Sequence, residues 1–238
     1  MQFRALDLGV LALGAGLLTV SSIHARETAL LGDFLAKNTS LQPAEIKRFR
    51  LPDEEAALRV FERAHVRPGD QVLEIGPGIL SHLSVLSILI GAKSHVVDAY
   101  EEGITAHRTR VQYQQRALGD AIRFEPTYFH NSVTEMDVPD RSYDTIFCIG
   151  VWDAPDVTAA DRYDLVEFML KKTKIGRSFF LSFGMFGTPL NPRDPFHKPN
   201  PFTVANNLGV QIELVEPSPI ESHSLVGWLV YEFRVVGR

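Results

Sequence analysis

Apolar and polar positions follow two different rhythms along this chain. Up to about residue 67 the apolar residues recur at helical spacing. In TALLGDFLAKN (28–38), Leu30, Leu31, Phe34 and Leu35 share one face. LPDEEAALRVFERAHV (51–66) opens with Pro52 and three acids, which suit a helix N-terminus, and places Leu58 and Phe61 inward with Glu54 one turn earlier. After Pro68-Gly69 the grammar changes to short apolar strands alternating with helices. DQVLEIG (70–76), SHVVDAY (94–100), IRFEPT (122–127), YDTIFCIG (143–150) and SFFLSFG (178–184) read as five strands. ILSHLSVLSILIGA (79–92), EEGITAHRTRVQYQQRAL (101–118) and AADRYDLVEFMLKKT (159–173) read as helices, the last with Leu165, Phe168 and Met169 facing in. Such alternation predicts a parallel sheet covered on both faces. VQIELVEP and GWLVYEFRVV have no helix between them, so they should pair antiparallel.

The expected fold is therefore α/β: a Rossmann-like sheet with helices on both faces and an antiparallel C-terminal hairpin, preceded by N-terminal helices. Residues 1–65 form the helical extension and 66–238 the main domain. The 238 residues are enough for a core that needs no staples. Cys148, the only cysteine, excludes an internal disulfide and every multi-cysteine zinc pattern. His, Asp and Glu show no metal-ligand spacing elsewhere. A net charge of −5 argues against a generic nucleic-acid binder.

The start of the chain carries its own question. Residues 8–23, LGVLALGAGLLTVSSI, hold no charge, and Ala25 would suit a signal-peptide cleavage point. The run is short for a membrane span. On a helical wheel Val10, Leu11, Leu13, Leu17, Leu18 and Val20 lie opposite Ala12, Ala15, Gly16 and Thr19, as in a helix resting on the protein or on a membrane surface. We read 6–24 as a helix retained in the mature chain and available for membrane association, with the main domain in the cytoplasm.

The strongest chemical signal is VLEIGPGILSHL (72–83). A strand ending in an acid, then Gly76 and Gly78 before a helix, brings bare backbone to a ligand at the C-terminal edge of the sheet. Leu80 stands where a dinucleotide fingerprint often has a further glycine. Glu74 at the loop entrance suits a cationic group better than a pyrophosphate. Asp98 closes the next strand, where a carboxylate can accept from both hydroxyls of a ribose.

These residues resemble the class I S-adenosylmethionine-dependent methyltransferases, over about residues 66–238. VLEIGPG is similar to that family's glycine motif. The resemblance places Glu74 near the methionine ammonium of S-adenosylmethionine, with Gly76, Pro77 and Gly78 bending around the cofactor. HVVDAYEEGI (95–104) resembles the second-strand motif, which puts Asp98 on the ribose and Ala99 and Tyr100 beside the adenine. FHNSVTEMDVPDRSYDTIFCIGVWDAP (129–155) resembles the stretch from the adenine site into the fourth strand. Where the family often has an acid on the adenine amino group, this chain has Ser132, preceded by Asn131 and followed by Val133. Ile149 through Asp153 would wall the methyl-transfer site. The resemblance also implies a seven-stranded sheet with a reversed last strand.

The implied activity is methyl transfer from S-adenosylmethionine to a small-molecule acceptor by direct displacement. IGVWDAP lacks the Asn/Asp-Pro-Pro-aromatic run of members that methylate base amines, which argues against that acceptor. No catalytic residue is assigned. Asp153, His130 and His197 are candidate bases, but each reads more readily as a helix cap or an isolated polar residue. Cys148, inside an apolar strand, reads as an inert thiol. GMFGTPLNPRDPFHKPNPFTVANNLG (184–209) carries five prolines from Pro189 to Pro201 and reads as a long loop at the ligand edge. Phe186, Phe196 and Phe202 would form a lid over the acceptor, with Arg193 and Lys198 to meet an anion. Two other classes share this layout: a non-catalytic methyltransferase-like binding protein and a nicotinamide-dependent dehydrogenase.

Overall fold

A computed structural model describes residues 31–46, 54–77, 82–119, 126–152, 154, 156–183, 199–217, 220–221 and 229–238. The strands are β1 (Gln71–Ile75), β2 (Lys93–Asp98), β3 (Thr127–His130), β4 (Tyr143–Cys148), β5 (Thr173–Phe183), β6 (Gln211–Leu214), β7 (Ile220–Glu221) and β8 (Leu229–Gly237). The helices are α1 (31–38), α2 (Pro43–Ile46), α3 (Glu54–Ala64), α4 (His82–Leu89), α5 (Glu101–Leu118), α6 (Ala159–Lys172) and α7 (Pro201–Asn207). They build one sheet in the order β3-β2-β1-β4-β5-β8-β6. Strands β1 to β5 run parallel and β8 is antiparallel to β5. The short β7 pairs with β8 beside Leu229 and Val230, on the edge that β6 occupies further along. The sheet is thus seven positions wide, with a reversed strand inserted before the edge.

Strand periodicity sorts the core into two faces. Leu73, Ile75, Ile146, Cys148, Phe179, Leu181 and Phe233 point towards α6 and α7, meeting Leu165, Met169 and Val204. The intervening residues Val72, Phe147, Phe180 and Val230 point the other way, onto α4 and the N-terminal helices. There Leu31, Leu35, Leu58 and Phe61 are buried, and Phe34 meets Phe61 edge-on at 5.8 Å. The helices before residue 66 therefore share a core with the sheet. An ion pair between half-buried Arg63 and buried Glu232 fastens the same layer: Arg63 Nε lies 2.8 Å from Glu232, whose other oxygen accepts from Ser178 at 2.6 Å.

Three expectations change. The third strand is Thr127–His130, after Pro126, rather than 122–127; residues 120–125 lie outside the described set. The stretch before Gly209 is not all loop, because Pro201 begins α7. Proline is tolerated at a helix's first position, and Asn200 caps that end by accepting from the Phe202 N–H at 2.9 Å. The fifth strand starts earlier than 178, at Thr173. Among the described residues no helix is long and apolar enough to cross a membrane. The run 6–24 lies outside them.

Candidate functional site

Strand order reverses between β1 and β4, so the connections leaving their C-terminal ends diverge and open a crevice. A cleft of about 480 Å³ lies there. Its walls come from the ends of β1 (Ile75, Gly76) and β2 (Val97, Asp98, Ala99, Tyr100), the turn after β3 (Asn131–Thr134), the segment after β4 (Gly150, Val151, Ala154, Asp156, Val157) and α6 (Asp161, Asp164, Leu165). Four of these residues are aspartates, and none is Lys, Arg or His. The described wall is suited to a cationic ligand and hostile to an anionic one.

Asp98 is 8% exposed, and its Oδ1 accepts the Tyr100 N–H at 2.9 Å. A Cβ on Gly103, in the first turn of α5, would lie 2.1 Å from Asp98 Oδ2. The glycine therefore makes room for the carboxylate. Pattern reading passed over Gly103, although a glycine inside a strongly helical run is itself a signal that packing requires it. Tyr100 Oη donates to Asp156 Oδ2, joining the β2 and β4 sides of the cleft.

Gly76 adopts φ +58°, and a Cβ there would meet Val151 Cγ2 at 2.3 Å. The bare backbone that the motif promised to a ligand is thus approached by Val151. Ser132 is engaged locally: its Oγ accepts from Thr134 N, and Glu135 reaches back to the Ser132 N–H at 3.1 Å, a capping box on a short 3₁₀ turn. Beside it Asn131 Oδ1 is buried in the cleft wall with no hydrogen-bond partner. This acceptor was not among the predicted site residues.

Of those residues, Gly76, Asp98, Ala99, Tyr100, Ser132 and Val133 line the cleft. Pro77 is buried outside its lining, and Gly78 lies outside the described residues. Glu74 and Ile149 do not line it. Both fall on the face of Val72 and Phe147, because side chains alternate along a strand. Ile149 packs into that core, and Gly150 with Val151 supplies the wall instead. Glu74 turns back to α4, is 5% exposed, and accepts the Ser84 N–H at 2.9 Å. Burial raises its carboxyl to about 7, against the hydrogen bonds from Ser84 and Leu83 that favour the ionised form.

His130 is half-exposed, with Nδ1 2.9 Å from Glu101 Oε2, and lies outside the lining. Asp153, His197, Phe186, Phe196, Arg193 and Lys198 lie outside the described residues. Phe202 is no lid: it packs on Phe233 in the core, ring centroids 5.9 Å apart. The Cys148 thiol is fully buried, and burial pushes its pKa up.

No protein-family model matches the chain. A ribosomal RNA small subunit methyltransferase A from Lactobacillus acidophilus is 53% identical over 51 residues, 21% of this chain and 16% of that protein's length. A putative transferase from Pyrococcus horikoshii superposes with a TM-score of 0.57 at 14% identity, covering 85% of this chain and 67% of its own. Magnesium protoporphyrin IX methyltransferase from Synechocystis, solved with bound S-adenosylmethionine, gives 0.51 at 18% identity, covering 78% and 77%. An S-adenosylmethionine-dependent methyltransferase from Clostridium acetobutylicum gives 0.55 at 10% identity, covering 79% and 93%. The chain has the fold of the class I S-adenosylmethionine-dependent methyltransferases.

Proposed function

We propose that this protein binds S-adenosylmethionine in the cleft at the C-terminal ends of β1, β2 and β4 and transfers its methyl group to a small-molecule acceptor. The observation that carries the reading is the cleft wall itself: a buried carboxylate, Asp98, at the end of β2, within a lining whose described residues include four aspartates and no cation. A sulfonium with an ammonium group fits that field, whereas the pyrophosphate of a nicotinamide cofactor would meet carboxylates on several sides. On this reading Asp98 accepts from the ribose hydroxyls. Asn131 Oδ1, unpartnered in the wall, suits the amino group of an adenine better than Ser132, whose hydroxyl serves its own turn.

The bound donor supplies an already activated methyl group, so the protein's own part is alignment and exclusion of water. Val151 and Gly150 form the wall nearest the glycine turn, and the Tyr100–Asp156 hydrogen bond joins two sides of the cleft. The small-molecule reading of the acceptor rests on charge. The overall charge is −5 and the described cleft lining is acidic, which favours a small acceptor over RNA there, despite the short match to an RNA methyltransferase. Thermal shift with S-adenosylhomocysteine and with NAD tests the first half: stabilisation by the former alone is expected, and stabilisation by NAD alone would replace the reading with a dehydrogenase. Transfer of labelled methyl to a metabolite panel and to total RNA tests the second. Label appearing only in RNA would correct the acceptor class, and no transfer to either would favour a non-catalytic binder.

A further inference from the structure

The cleft wall nearest the glycine turn is held from outside the cleft. Pairing of β4 with β5 runs parallel as far as Cys148 opposite Leu181. Two residues later the chain turns out of the sheet at Gly150, which adopts φ +85°. Its N–H donates to the side chain of Ser182, near the end of β5, with the Oγ at 2.7 Å. Ser182 is fully buried and lies opposite Val230, on the face of β5 that also carries Phe180. A hydroxyl among apolar side chains costs free energy unless it is hydrogen-bonded, so packing alone does not account for a serine here. The far side of the same short segment is secured as well. Trp152 is 3% exposed, and its carbonyl accepts from Arg162 Nε of α6 at 2.9 Å, with the guanidinium 5.7 Å from the indole centroid. Val151 stands between them, and its carbonyl accepts the Ala154 N–H at 3.0 Å. Gly150 and Val151 line the cleft, whereas Ser182, Trp152 and Arg162 do not.

Both side-chain bonds have a fixed direction, because a backbone amide and a guanidinium only donate. Together they fix a contact across the cleft floor. A Cβ on Gly76 would lie 2.3 Å from Val151 Cγ2, so the wall stands directly against the turn that follows β1. We infer that Ser182 is a positioning residue for this site, with Arg162 as its counterpart at the other end of the wall. The hydroxyl pins the Gly150 amide where the chain leaves the sheet, and so sets Val151 against Gly76 and the spacing between the β1 and β4 sides. Without the hydroxyl the amide loses its acceptor and turns to find another, and Gly150, having no side chain, offers little resistance to that rotation. Val151 then moves with it.

The consequence for binding rests on the proposal that S-adenosylmethionine occupies this cleft, since alignment of a donor needs a wall that does not shift. Amide hydrogen exchange in the full-length protein tests the positioning without any ligand. The Gly150 N–H should be protected in the wild type and exchange about tenfold faster in Ser182→Ala. The nuclear Overhauser effect between the Val151 methyls and Gly76 Hα should weaken in the same variant. An unprotected Gly150 amide in the wild type, or protection and contact unchanged in the variant, would overturn the inference. Arg162→Ala should weaken the Val151–Gly76 contact while the Gly150 amide stays protected, and an unchanged contact would remove Arg162 from the assignment. Ser178→Ala, which takes another buried hydroxyl from β5 at the end away from the cleft, controls for lost packing. In calorimetry with S-adenosylhomocysteine, Ser182→Ala should bind about fivefold more weakly and Ser178→Ala within about twofold of the wild type, as for one lost hydrogen bond. An equal loss in the two variants would reduce Ser182 to a core residue. A wild type with the protected amide that fails to bind S-adenosylhomocysteine would instead refute the cofactor reading and leave the positioning of the wall standing.

Discussion

Two buried groups with opposite displacements make contributions to the pH dependence of stability that offset each other. Glu74 is raised from 4.5 to about 7 by burial, so folding favours its neutral form. That contribution is complete below about pH 4.5 and is lost as pH rises through about 7; at 1.36 kcal/mol per pKa unit it amounts to about 3 kcal/mol. His107 is lowered from 6.5 to about 4, so folding also favours its neutral form. Its contribution is present above about pH 6.5 and is lost, by a similar amount, as pH falls through about 4. The two nearly offset between pH 7 and 4. Relative to the wild type, Glu74→Gln should therefore lose more stability on acidification across that window, and His107→Gln less. Urea melts at several pH values check this, and three parallel profiles would contradict it. At Gly76 the question is steric. Gly76→Ala should cost about 1 kcal/mol for the positive φ, and about 1–3 kcal/mol more for overlap with Val151. Val151→Ala in the same chain should recover the second part, whereas strict additivity of the two substitutions would show that Val151 is not the obstacle.

At the scale of elements, Gly103 and Glu232 show what a local pattern hides. Gly103→Ala should improve the intrinsic helix propensity of α5 by about 1 kcal/mol yet displace the Asp98 carboxylate. Unaltered circular dichroism with S-adenosylhomocysteine affinity reduced about tenfold is the expected pair of results, roughly the loss of a hydrogen bond to a charged group; undiminished affinity would mean that Asp98 is not what the glycine accommodates for the ligand. Arg63 ties α3 to β8 through Glu232, which is 3% exposed. Arg63→Ala leaves that carboxylate with Ser178 and the more distant Arg234, and should destabilise by about 3 kcal/mol, more than Arg63→Ala combined with Glu232→Gln. Equal melts for the single and double variants would count against a buried Glu232 charge held by Arg63. The strands β1, β2 and β4 and helix α5 were legible because apolar runs bounded by turns, or by acids at a helix start, leave little choice. Strand β3 was misplaced because TYFH is a half-buried edge with no apolar run of its own. Helix α7 was missed because Pro201 was weighed as a breaker, although at a helix's first position the missing N–H costs nothing. In the site, Asp98 and Gly76 were legible as residue types at strand ends. The direction of Glu74 and Ile149 was not, since the side a residue faces depends on which helices cover each face. Nor was the hydrogen bond between His107 and Tyr128, which are far apart in sequence and meet only when α5 packs on the sheet.

For the molecule as a whole, the fold places the ends of β1, β2 and β4 around one acidic cleft, while helices from both ends of the chain complete the two faces of the core. The account stands or falls on whether that cleft takes the methyl donor through Asp98. Isothermal calorimetry of S-adenosylhomocysteine against the wild type and Asp98→Ala is the direct measurement. The account predicts one site in the wild type and an affinity weakened by about 2 kcal/mol, roughly thirtyfold, in the variant. Equal affinity in the two proteins, or no binding to a folded wild type, would contradict it.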